Sequence, residues 1–204
     1  MKGKKKILEA LLQRNYDEFF KMDLKKVASS LISFLYGDEL LTFRAAEALG
    51  IVCSKIEKYD EEFVKNILRR LFWHLNDESG AYCKGAPLAI GEIGRNAPRA
   101  FEGFKNMTVS LLDNEEVEKK YVIYAIGRAA KNLKDAYPNP VEKLKPLIND
   151  KNPEIRGYAA WALKKLGVDL FDELKDDESE IMFYDGDLIK VKIKDLIANT
   201  QEKD

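Results

Sequence analysis

Histidine and cysteine are scarce in this chain. Its 204 residues hold one histidine, His74, and two cysteines, Cys53 and Cys83. One histidine and two separated cysteines do not make a zinc ligand set, and a di-iron centre has no His-Glu pairs to draw on. Neither a G-x-G-x-x-G turn nor a Walker sequence occurs. No catalytic constellation, metal or cofactor is expected. Net charge is lacking too: 34 Lys and Arg stand against 35 Asp and Glu, a formal charge of −1. No global field therefore favours nucleic acid or an anionic membrane. No apolar run approaches the roughly 18 residues of a membrane span. The basic start, Met1 to Lys6, leads into an amphipathic pattern and not a continuous apolar run. The expectation is a cytoplasmic protein with neither signal peptide nor membrane segment.

What the chain does have is a recurring segment. Residues 41–50 read L-T-F-R-A-A-E-A-L-G, 82–91 Y-C-K-G-A-P-L-A-I-G, 118–127 E-K-K-Y-V-I-Y-A-I-G and 155–164 I-R-G-Y-A-A-W-A-L-K. Aligned on Ala48, Ala89, Ala125 and Ala162, the copies lie 41, 36 and 37 residues apart. Each follows an apolar helical stretch that ends in an acidic turn: Tyr36-Gly37-Asp38, Leu75-Asn76-Asp77, Leu112-Asp113-Asn114 and Ile148-Asn149-Asp150. A period near forty with two helical patterns per unit predicts an all-α, right-handed HEAT-like solenoid of about four helix pairs. The alignment sets Cys83 opposite Thr42, eleven positions from Cys53. That is roughly 16 Å along a helix, beyond the ~7 Å a disulfide spans, so both thiols are expected free, in a reducing compartment.

Residues 1–22 read as an N-terminal helical cap. The pairs fall near 23–56, 60–95, 98–132 and 138–167. Their helices are predicted at 23–36 and 39–56, 60–75 and 86–95, 98–112 and 116–132, 140–148 and 153–166, with Pro98, Pro140 and Pro153 at helix starts. From 169 the period changes. Residues 169–180 form an acidic linker or frayed helix. Two β-rich runs then flank Asp185-Gly186, a hairpin-turn signal, followed by a short helix over 194–199 and a tail. The hairpin is expected to fold back on the last repeat.

The second helix of each pair should line the concave side. The position before each aligned alanine holds Glu47, Leu88, Tyr124 or Trp161, and three residues earlier stand Arg44, Gly85, Tyr121 and Tyr158. Four residues later come Ile51, Glu92, Arg128 and Lys165. The last two units thus present an aromatic strip, Tyr121, Tyr124, Tyr158 and Trp161, rimmed by Arg128 and Lys165. These are residue types that anchor interfaces; the competing reading has them filling ridges between repeats. The second candidate is the long turn of the second unit, with Trp73, Asp77, Glu78, Ser79, Tyr82 and Lys84. There the competing reading has Asp77 or Ser79 capping a helix and Trp73 packed beneath the loop.

Around that turn, R-R-L-F-W-H-L-N-D-E-S-G from Arg69 and G-A-P-L-A-I-G-E-I from Gly85 resemble an uncharacterised family of small HEAT-repeat proteins of anaerobic bacteria and archaea. Its members carry R-R-L-x-W-x-L-N-D-E-S-G, a glycine-rich turn and G-A-P-E-x-x-G-E-I. Arg156-Gly157, Ala159-Ala160 and Tyr184-Asp185-Gly186 extend the likeness over most of the chain. Gly80-Ala81-Tyr82-Cys83-Lys84-Gly85 stands where relatives have G-G-I-G-W-G, and Leu88 where they have glutamate. The resemblance implies the fold and the loop, and no reaction. The repeats are also similar to those of phycobilisome lyases, which implies nothing about bilin attachment. The leading expectation is a non-enzymatic scaffold or adaptor that binds another protein on its concave face, without membrane contact. One alternative is a nucleic-acid-binding protein or HEAT-like DNA glycosylase using Trp73, Asp77, Arg70 and Trp161. Another is an accessory factor for assembling a metalloenzyme or cofactor protein.

Overall fold

A computed structural model describes residues 2–75, 82–169 and 171–198. The chain is mostly helical, with one small antiparallel sheet near its C-terminus. It divides into two compact units, residues 1–104 and 105–204.

In the first unit, α1 (Lys2–Gln13) and a 3-10 turn (Tyr16–Lys21) precede α2 (Leu24–Ile32), α3 (Glu39–Ile56), α4 (Glu61–Trp73), α5 (Ala86–Asn96) and α6 (Pro98–Phe101). Aspartates start three of these helices. Asp23 accepts the Lys25 and Lys26 N–H groups, Asp38 that of Leu41 and Asp60 that of Phe63. α3 spans the predicted 39–56, whereas α2 stops four residues short of its prediction, in a turn closed by Ser33 and Phe34 N–H bonds to Ser30 and Leu31. The small residues of the repeat do what their size allows. Ala45, Ala46, Ala48 and Leu49 are fully buried, and α3 runs against α5. A Cβ on Gly50 would meet the Glu92 main-chain oxygen at 2.6 Å, so the backbones approach as closely as glycine permits.

In the second unit, α7 (Lys105–Ser110), α8 (Lys119–Arg128), α9 (Pro140–Leu144) and α10 (Pro153–Lys165) lead to α11 (Phe171–Leu174), strands β1 (Glu180–Tyr184) and β2 (Leu188–Lys192), and α12 (Ile193–Ala198). Two predicted outer helices are broken. The 98–112 stretch changes to a 3-10 turn at Glu102–Phe104, around Gly103, a residue with weak helix preference. The 140–148 stretch turns 3-10 from Lys145, because Pro146 has no N–H to give and its ring crowds the preceding turn. Pro98, Pro140 and Pro153 all start helices.

β1 and β2 pair with Phe183 opposite Ile189 and Tyr184 opposite Leu188. Gly186 sits at φ +82°, which the turn requires and glycine supplies without strain. The hairpin lies on α10, as its fold-back position predicted. A Cβ on Gly157 would meet Ile181 Cδ1 at 2.6 Å. Arg156 anchors the approach: its Nε donates to Asp177 at 2.7 Å, one Nη to the Ser179 hydroxyl at 2.9 Å and the other to the Asp150 carbonyl at 2.7 Å.

Candidate functional site

The row assigned to the concave face is internal, and this corrects the expectation of an open aromatic strip. Tyr124 is 1% exposed and Trp161 5%, and Tyr121 and Tyr158 are likewise buried. The rings of Tyr124, Tyr158 and Trp161 form one cluster. Tyr124 stacks on Trp161 at 5.6 Å, and Phe183 of the hairpin lies 5.1 Å from Tyr158 and 5.3 Å from Trp161. Tyr184 adds an edge to Tyr124 at 6.4 Å. The Tyr158 hydroxyl donates to the Met182 carbonyl at 3.2 Å. A Cβ on Gly127 would enter the Trp161 ring. The rings face inward because the chain's own C-terminal hairpin covers them, and stacked and edge-on pairs of this kind favour that arrangement. Arg128 is half-buried with its guanidinium 5.8 Å over Tyr124, and only Lys165 of this set is exposed.

The first unit treats the same row alike. The Glu47 carboxylate is buried and accepts Arg14 Nε at 3.0 Å, Arg14 Nη at 2.5 Å and the Tyr16 hydroxyl at 2.7 Å. Arg44 donates to the Leu12 carbonyl at 2.7 Å. Leu88 and Glu92 are fully buried. Over Arg44 and Glu47 the N-terminal cap supplies the cover.

The second candidate, the turn after α4, is placed differently. Asp77, Glu78 and Ser79 lie outside the described residues. Trp73, the last residue of α4, is 61% exposed, which corrects the reading that packs it under the loop. Lys84 is exposed and Tyr82 half-buried. Beside them comes the turn after α2. The Tyr36 ring, 48% exposed, meets His74 edge-on at 6.4 Å, with its hydroxyl 3.5 Å from Nδ1. Arg70 Nε donates to His74 Nε2 at 3.3 Å. A Cβ on Gly85 would run into Thr42 and the Leu35 carbonyl, so glycine lets the start of α5 close on the α2–α3 turn.

Cys83 lies within this edge and is fully buried. Burial pushes its thiol up, against the opposing pull of the Tyr36 hydroxyl, the Gly85 and Ala86 N–H groups and the Arg70 charge. The Tyr36 hydroxyl is pushed up as well, first by burial and then by Cys83. A buried thiol shifted upward is the opposite of a thiolate nucleophile. Cys53 is also buried and shifted upward, by desolvation and then by Glu57, and both thiols are free. Among the described residues no group of three or more His, Cys, Asp or Glu is arranged to hold a metal ion. Among the same residues no helix is long and apolar enough to cross a membrane.

An uncharacterised protein of Archaeoglobus fulgidus is 52% identical to this chain over 180 residues, covering 85% of the chain and 95% of the relative. The chain belongs to that protein's family. It matches no family model and no solved structure.

Within this member of the family, the Tyr36–His74–Arg70 chain of contacts went unread in the sequence. The signal was there in part. Arg70 and His74 stand four apart on one helix face, and Tyr36 and Leu75 begin equivalent turns in successive repeats. The structure brings these two turns together at Tyr36 and His74. Trp161, which the glycosylase reading needs in a cleft, is buried beneath the hairpin.

Proposed function

We propose that this protein is a non-enzymatic interaction module, a right-handed HEAT-like solenoid whose helix pairs carry a docking edge for another protein. Support for the architecture comes from the fourfold recurrence of the segment aligned on Ala48, Ala89, Ala125 and Ala162 and from Gly50, where any side chain would strike α5. The observation that carries the function is the exposure of Trp73, three residues from Arg70 on α4, whose guanidinium is joined through His74 to the exposed Tyr36 ring. Tryptophan, tyrosine and arginine concentrate at the energetic centres of interfaces, and here they gather on one edge while the chain's other tryptophan is enclosed. The partner therefore docks on the edge made by the α2–α3 turn and the C-terminal end of α4, and not on the buried row.

Affinity capture from native lysate, comparing wild type with Trp73→Ala in the presence of nuclease, tests the reading. The variant keeps its far-UV circular dichroism and loses a defined protein that the wild type retains. An identical set of proteins on both columns would count against the docking edge.

A further inference from the structure

Arg70 and Trp73 stand three residues apart at the end of α4, on one face of the helix and both exposed. The arginine is anchored at a single atom, through the Nε–H bond to His74 Nε2. A guanidinium only donates, so Nε2 holds the lone pair and the His74 proton sits on Nδ1, facing the Tyr36 hydroxyl. Both terminal nitrogens of Arg70 are left unbonded among the described residues. Arg14, Arg44, Arg69, Arg99 and Arg156 instead direct a terminal nitrogen to Glu47, Leu12, Glu62, Glu57 and Asp150; Arg95, exposed at the end of α5, shares the open fork but has no anchored Nε among the described residues.

We infer, resting on the docking edge proposed above, that the partner presents an acidic segment: one carboxylate on the Arg70 fork, with a neighbouring apolar or aromatic side chain on Trp73. The fork matches a carboxylate with two parallel hydrogen bonds. Because His74 already holds the guanidinium at Nε, less side-chain freedom is lost on binding. A nucleic-acid backbone would need a row of free cations. The adjacent Arg69 is already bonded to Glu62 and Asn66, at 2.6 and 2.7 Å.

The test is a phage-displayed random-peptide library panned on the full chain and on its Arg70→Gln and Trp73→Ala variants, each checked for unchanged circular dichroism. Enriched peptides should carry Asp or Glu close to an aromatic or aliphatic residue. A synthetic consensus peptide should bind Arg70→Gln about tenfold more weakly, the loss of one charge-assisted pair. Arg70→Lys should not restore the binding, because an ammonium cannot grip both oxygens. Peptides without an acidic residue, lost on Trp73→Ala but indifferent to Arg70→Gln, would overturn the acidic partner and leave the docking edge standing. No enrichment, or equal enrichment on all three proteins, would overturn both. Capture of a single-stranded oligonucleotide at ~50 mM salt that Arg70→Gln abolishes would overturn the peptide in favour of nucleic acid.

Discussion

The two tryptophans of this chain end up in opposite surroundings. Trp161 is wedged among Tyr124, Tyr158 and Phe183 beneath the C-terminal hairpin. Trp73 closes α4 and stands open beside an edge of polar and aromatic groups. Both sit on helices, and both are preceded three residues earlier by a side chain on the same face, Tyr158 or Arg70. What separates them is a covering segment. Helical spacing says which residues share a face, and a distant piece of chain decides whether that face is core or surface.

The comparison breaks most visibly through large-to-small substitution. Trp161→Ala should cost about 3–5 kcal/mol, read as a lowered midpoint in denaturant with the slope unchanged. Trp73→Ala should stay within about 0.5 kcal/mol of wild type. Equal losses at the two sites would erase the distinction.

Glycines sharpen it at the next level. Gly50→Ala should cost about 1–3 kcal/mol, because the new Cβ meets main chain at 2.6 Å. Gly103→Ala meets nothing within 4 Å and should stabilise by about 0.4–1 kcal/mol, since alanine has less backbone freedom to lose. Thermal melts of the two variants should move in opposite directions.

The anchor of the hairpin gives a smaller effect with a pH signature. Burial pushes the Asp177 carboxyl up, but Arg156 and Ser179 outweigh it and hold the group below its usual 3.8. A carboxyl lowered on folding adds stability that is fully present above its unfolded pKa and disappears as pH falls through the folded one. Asp177→Asn should therefore cost about 1–2 kcal/mol at pH 7, and the gap from wild type should narrow below about pH 4. A gap that stays constant down to about pH 2 would show that the charge is not what holds the hairpin.

Much of the helix layout was legible in the sequence. α3 fills 39–56, prolines mark three helix starts, and Asp185-Gly186 marks the hairpin turn. These features are local: caps, missing donors and a positive φ act within a few residues of themselves. The fold-back of the hairpin was legible from the apolar content of 181–193, but its consequence was not. Tyr158 and Phe183 are 25 positions apart, and no periodicity ties them together. The open edge was half legible, because Trp73 and the turn were singled out while Tyr36 and His74, partners across 38 residues, were not joined. Arg44 and Glu47 misled for the same reason: their exposed-row position took no account of Arg14 and Tyr16 reaching over from the N-terminal cap.

The most direct test uses the two tryptophans as their own reporters. Trp161→Phe leaves Trp73 as the emitter, and Trp73→Phe leaves Trp161. Iodide quenching of each variant reads solvent access to the remaining indole. The account predicts red-shifted, strongly quenched emission from Trp73 and blue-shifted, protected emission from Trp161 in the native state, converging in denaturant. Native Trp161 emission quenched as readily as that of Trp73 would contradict it, because the aromatic row would then be open and the hairpin would not be its cover.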